Sequence, residues 1–384
     1  MSTTRYLTIA ILGAAIPLAA HAGTFTTLYA FHGGADGANP TGPVMYQGGW
    51  LYGTAGPNVF KVKASSGHFE IVHAFSGGTD GSNPSFGVVY QGGMLYGTTA
   101  YGGGTGCVIN NKVLGCGTIY SINAKTEAET ILYSPQSSSL GAGSLLYLAG
   151  TLYGPTFGGG ANGDGSIFSF DLAASSFTTL FSFSFADGQE PNPQLLYQNG
   201  LLYGTTLYGG AGCERNLSCG VLFSIDPLTG AESTFYEFQK KRRGAIPFSN
   251  VVYHSGSFIG ATNVGGSRVC RYGCGVTFAI DAATGAEKVI SVNDTNAQVA
   301  SGMILLGDKI YESLPQEYGA DGDGNGELVE FDLKTKVSTV LYTFTGGTGG
   351  SHPQASLIYQ DGALYGTSVG FFGGGDGSVF KYVP

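Results

Sequence analysis

The sequence has 384 residues and a formal net charge of −9; 11% of residues are charged and 12% are aromatic. The acidic balance argues against nucleic acid or anionic membrane as the main partner. Few charges beside many aromatics exclude a disordered chain, and 66 glycines point to short strands joined by tight turns.

In chain order, residues 1–22 come first. "MSTTR" is a short basic leader, and "YLTIAILGAAIPLAA" is an apolar run shorter than the roughly 20 residues that cross a bilayer. "AHA" then places small residues before Gly23, where a signal peptidase needs them. The expectation is a signal peptide over 1–22 and an exported mature domain over 23–384, periplasmic, extracellular or on the cell surface. No membrane span is expected in the mature chain.

From there one phrase organises the sequence. "LYGT" recurs at Tyr52, Tyr96, Tyr153, Tyr203 and Tyr365, with degenerate copies at Ile259 ("FIGAT") and Tyr311 ("IYESL"). The steps of 44, 57, 50, 56, 52 and 54 residues fit the period of four-stranded propeller blades. One unit reads "NPQLLYQN", "GLLYGTTLYG", "GVLFSIDPLTG" and "AESTFYEF", four strand-like runs bounded by turn residues, named A to D here. No amphipathic helix with start and stop signals interrupts them. The last unit stops after its C run, "GSVFKYV", while "TFTTLYAF" at 24–31 matches a D run. The prediction is therefore an all-β, seven-bladed β-propeller with four-stranded blades, closed by the N-terminal strand completing the last blade.

In such a meander, A–B and C–D turns lie on one face and B–C and D–A loops on the other. The C–D turns "DPLTGAE" and "DAATGAE" use Asp226 and Asp281 to bond their own backbone. The opposite face carries Asp36 and Asn39, Asp80 and Asn83, and Asp187 and Asn192 in D–A loops. These residues read first as turn caps, with proline setting the entry to strand A. As a binding face, they would hydrogen-bond a polar ligand such as a glycan. Asp376 joins them, standing before a strand C glycine as Asp164 and Asn325 do.

One B–C loop, "ADGDGNGE", sets Asp321, Asp323, Asn325 and Gly326 on the first six positions of a calcium loop. Position 12 falls on Asp332 at the far end of strand C, so a bound Ca2+ would need other oxygens. No other cofactor is suggested. All six cysteines also lie in B–C loops, as Cys107 with Cys116, Cys213 with Cys219, and Cys270 with Cys274. Export makes disulfides the expected state, and locality suggests this pairing among fifteen connectivities. Two thiolates per loop fall short of a structural zinc site. His32, His68, His73, His254 and His352 are scattered and no G-x-S-x-G elbow is present, so no catalytic residue is assigned.

The stretch Phe75 to Gly104, "FSGGTDGSNPSFGVVYQGGMLYGTTAYGGG", resembles the GloVer-type tandem repeat of exported, choice-of-anchor bacterial proteins. The resemblance covers nearly the whole mature chain and is best over 31–56, 75–104, 183–224 and 344–382. It implies export and repeat architecture and brings no established reaction. Members often carry a C-terminal anchoring segment, which the ending "SVFKYVP" does not show. The expected function is a binding or scaffold module for a glycan or protein ligand, using the B–C and D–A face. The alternatives are a polysaccharide hydrolase or lyase with carboxylates in the funnel, and a structural surface protein without ligand. Three local disulfides predict a gain of six hydrogens on reduction, read by intact mass before and after reductant.

Overall fold

The computed structural model describes residues 23–104, 107–109, 112–135, 141, 143–213, 219–239, 243–266, 275–292, 301–315, 324–370 and 375–384. They form seven antiparallel sheets in a ring, each with strands A to D in order. Blade 1 comprises Met45–Gln47, Trp50–Ala55, Asn58–Lys63 and Phe69–Ala74. The A-to-D strands of blades 2 to 6 fall within 89–133, 146–182, 196–237, 252–292 and 302–343. Blade 7 takes Ile358–Gln360, Ala363–Ser368 and Ser378–Val383 from the end of the chain and Thr24–Ala30 from its start. That last pairing sets Thr24 opposite Val383 and Ala30 opposite Ser378, which is the expected closure. Strands A of adjacent blades touch at the 7/1, 1/2, 2/3 and 5/6 joints, so strand A is innermost.

Each letter of the repeated phrase has a physical task. The leucine position is fully buried in every blade: Leu51, Leu95, Leu152, Leu202, Phe258, Ile310 and Leu364 are at most 1% exposed. Leu51 packs toward blade 7, while Tyr52, on the other strand face, packs toward blade 2. The glycine lies under a strand C ring. A Cβ there would stand 2.3 to 2.7 Å from Phe60, Tyr120, Phe168, Phe223, Phe278 or Phe380, too close for any side chain. The next threonine or serine reaches the following blade: Thr98 Oγ1 donates to Gly143 O, Ser313 Oγ to Ala355 O, and Thr367 Oγ1 to Gly42 O. The threonine two residues after the glycine accepts the first strand C amide, as Thr206 does from Val221 and Thr262 from Val276.

The segments that enter strand A extend this linkage around the ring. Gly87 N donates to Thr54 Oγ1 across the 1/2 joint, and Ser144 N to Pro193 O across 3/4. Asn192 Nδ2 donates to Pro247 O across 4/5, and Asn250 exchanges two bonds with the Met303 backbone across 5/6. At the axis, Ser356 Oγ of blade 7 donates to Gln194 Oε1 of blade 4 at 3.0 Å, so the entry segments meet there.

Blade 6 departs from the phrase in a compensated way. Glu312 stands where the other six blades have glycine, and its strand C partner is Val329 instead of an aromatic ring. The glycine and the ring are thus one steric unit. Gly204→Ala is expected to cost about 1–3 kcal/mol by overpacking. Adding Phe223→Val should cost less than the sum of the single changes, by about 1 kcal/mol or more in a denaturant double-mutant cycle.

Candidate binding face

The two faces differ in what their loops do. On one, Asp171, Asp226, Asp281 and Asp332 each accept two backbone amides of their own C–D turn at 2.8 to 3.2 Å. These amides hold the carboxyls of Asp226, Asp281 and Asp332 below the ordinary range, with the Thr284 hydroxyl leading at Asp281. Blades 3 to 6 share this turn, and Asn123 accepts the Lys125 and Thr126 amides in the same way in blade 2.

On the other face, the D–A loop aspartates also serve their own loops. Asp36 accepts the Tyr29 hydroxyl at 2.8 Å and the His32 amide at 3.1 Å. Asp80 accepts the Ser76 amide and hydroxyl at 2.6 and 2.9 Å. Asp187 accepts the Ser184 hydroxyl at 2.6 Å. Partial burial alone would raise the carboxyls of Asp36 and Asp80, but these hydrogen bonds outweigh it and hold both low.

Asn39 and Asn83 adopt left-handed backbone, φ 51° and 59°, directly before a proline. The sequence alignment sets Asn192 beside them, but the structure places Glu190, Ile246 and His352 at that position, each left-handed and followed by proline. Asn192 lies two residues further on, is 4% exposed, and joins Thr205 to Pro247 inside the 4/5 joint. The doubled "EPNP" conceals that register. Asp376 stands at the end of its B–C loop, where its carbonyl accepts the Asn39 amide at 2.7 Å. Asp164, Cys219 and Asn325 accept the amides of Glu190, Ile246 and His352 in the same way. At these four joints the D–A loop thereby lies against the B–C loop of the blade before it.

Two of the three expected disulfides are formed, Cys107–Cys116 and Cys213–Cys219, with Cα separations of 5.1 and 6.1 Å. Cys270 and Cys274 lie outside the described residues, as do Asp321 and Asp323 of the calcium phrase. Asn325 is described and belongs to the loop contact above.

Sequence reasoning passed over the aromatic side chains of this face. Tyr208 ends strand B of blade 4 and is 36% exposed, and Phe248 leads into strand A of blade 5 and is 42% exposed. Phe86 and Phe157 stand 5.8 Å apart across the 2/3 joint. The signal was the aromatic after "LYGTT", as in "LYGTTAYGG" and "LYGTTLYGG". Beside the Asp80 loop, a cavity of about 210 Å³ is lined by Gly78, Thr79, Gly102, Gly103, Gly104, Leu114 and Gly115, so its walls are largely backbone.

A second feature lies inside the ring. Glu312 is 7% exposed and shares its strand face with Ile310, which packs on Ile259 and Ala261 of blade 5. Its Oε1 accepts no hydrogen bond among the described residues. Burial pushes its carboxyl up to about 7.

Seven blades and this loop face define an all-β propeller of the repeat type. The chain belongs to the Gloeobacter/Verrucomicrobia repeat family, whose model matches residues 56–273 and 105–324. An extracellular domain from B. thetaiotaomicron shares the fold with a TM-score of 0.58 at 10% identity, over 93% of this chain and 39% of its own length. A second extracellular domain from that organism gives 0.55 at 14%, over 92% and 42%, so this chain spans about two fifths of either. Oligogalacturonate lyase from Vibrio parahaemolyticus gives 0.58 at 9%, over 94% and 97%. At these identities the likeness is one of fold. No curated protein sequence matches the chain.

Because the carboxyl of Glu312 is raised above its ordinary 4.5, its contribution to stability is fully present below that pH and is lost as pH rises through about 7. Glu312→Gln should flatten this part of the pH profile, removing a slope worth on the order of 3 kcal/mol in denaturant midpoints measured from pH 4.5 to 8.

Proposed function

We propose that the protein is an exported binding module that recognises a glycan through the face carrying the B–C and D–A loops. The observation that carries this reading is the exposure of Tyr208 and Phe248 on that face, among loop backbone that offers polar groups. Flat aromatic faces beside fixed donors and acceptors suit a ligand with apolar ring faces and many hydroxyls. The loops of this face also take up the length variation of the repeats, while the C–D turns of blades 2 to 6 repeat one design.

Export is supported by the signal-like segment 1–22 and by two disulfides, which persist in oxidising compartments. No helix among the described residues is long and apolar enough to cross a membrane. A hydrolase or lyase would need acid and base groups facing each other across the funnel. The described side chains that meet at the axis are Ser356, Gln194 and Asn250, which are uncharged and do not titrate.

A glycan array with the purified protein should show binding to a subset of polysaccharides. The Tyr208→Ala, Phe248→Ala double variant should lose at least about tenfold in affinity, with its melting temperature little changed because both side chains are exposed. Equal binding by the double variant would remove this face from the function.

A further inference from the structure

At the outer rim of five blade joints, 7/1, 1/2, 2/3, 4/5 and 6/7, two strand D positions meet. One is the last or next-to-last residue of strand D, as Tyr29, His73, Tyr133, Tyr236 and Tyr342 are. The other is the first or second residue of the next blade's strand D, as Phe69, Glu129, Phe177, Glu287 and Phe25 are. In three joints the pair is an aromatic stack, with centroids 4.1 Å apart for Tyr29 and Phe69, 4.3 Å for Tyr133 and Phe177, and 3.6 Å for Tyr342 and Phe25. In the 4/5 joint Tyr236 donates to Glu287 at 2.9 Å.

The 1/2 joint alone among these pairs an imidazole with a carboxylate, and the D–A loop adds a second carboxylate. His73, Asp80 and Glu129 place one ligand atom each within 4.8 Å of the others. His73 Nε2 is 3.3 Å from Asp80 Oδ1, while Asp80 Oδ2 is held from behind by the Ser76 amide and hydroxyl. Glu129 Oε1 is buried with no hydrogen-bond partner among the described residues. A buried, unsatisfied carboxylate oxygen beside an imidazole and an oriented second carboxylate is a deficit that a cation fills.

We propose that His73, Asp80 and Glu129 form a zinc site that ties blade 1 to blade 2, with water in the fourth position. The two carboxylates neutralise a dication, and the imidazole selects against calcium and magnesium, which take oxygen ligands. Three protein ligands with one open position suit tetrahedral zinc, and the joint is open enough to admit water, since the His73 and Asp80 side chains are 20% and 23% exposed. Ligand atoms around tetrahedral zinc stand about 3.3 Å apart, so Glu129 moves inward on binding.

The test is calorimetric titration of zinc chloride into chelator-treated protein at pH 7.5, with thermal melts. The expected result is one zinc per chain and a melting temperature raised by a few degrees at hundredfold excess over Kd. Glu129→Gln and His73→Tyr, the latter restoring the residue of other joints, should each weaken zinc at least about tenfold. His254→Gln, at the separate ion pair with Asp308, should leave it unchanged. Equal zinc affinity in the wild type and both site variants, or no binding tighter than millimolar in the wild type, would overturn the proposal.

Discussion

The structure depends on a hydrogen-bonded girdle where the chain enters each strand A. A propeller has no single core: each joint is a separate apolar layer, and seven clusters of buried residues bear this out. Layers that slide on apolar contacts alone have no preferred register. The bonds from Thr98 to Gly143, Asn250 to Met303, Ser313 to Ala355 and Thr367 to Gly42 set that register, because each joins a buried polar group to the neighbouring blade. Pairing of the Thr24–Ala30 strand with Ser378–Val383 then completes blade 7 and closes the ring, so strand C of that blade is not left as an edge.

Departures from the repeat come in matched pairs, since two surfaces must still fit. Glu312 replaces glycine where Val329 replaces a ring. In the same 5/6 joint, Ile259 and Leu305 replace the two tyrosines that meet elsewhere, as Tyr365 and Tyr46 do at 6.2 Å. At the rim of the 1/2 joint, His73 and Glu129 replace an aromatic stack. A single substitution would leave one partner facing a group it does not match; the paired change alters the chemistry of the joint on both sides at once.

The division of labour between the faces follows from loop length. C–D turns are short, and in blades 3 to 6 each spends an aspartate on its own amides, leaving little to offer a ligand. The opposite loops are longer, and they lean on one another through amide contacts such as Ile246 to Cys219 and His352 to Asn325. Two disulfides hold their ends. Their aspartates are likewise occupied within the loops, so the exposed aromatics carry more of the binding potential than the acidic residues do.

Strand order, blade number and closure were legible in the sequence, because a period near fifty residues, four strand-like runs per unit and a C-terminal unit lacking its last strand are local facts of the chain. The left-handed residues before proline were legible where the loop reads Asn-Pro, as at Asn39 and Asn83, but not where Glu190, Ile246 or His352 takes that place, since backbone geometry there overrides residue type. The inward turn of Asn192 and the meeting of His73 with Asp80 and Glu129 needed the assembled ring. Sequence by itself determined which residues repeat, and hence the architecture. Only the tertiary structure decided which non-repeating residues face each other across a joint, because those partners lie a whole blade apart in the chain and are brought together by ring closure alone.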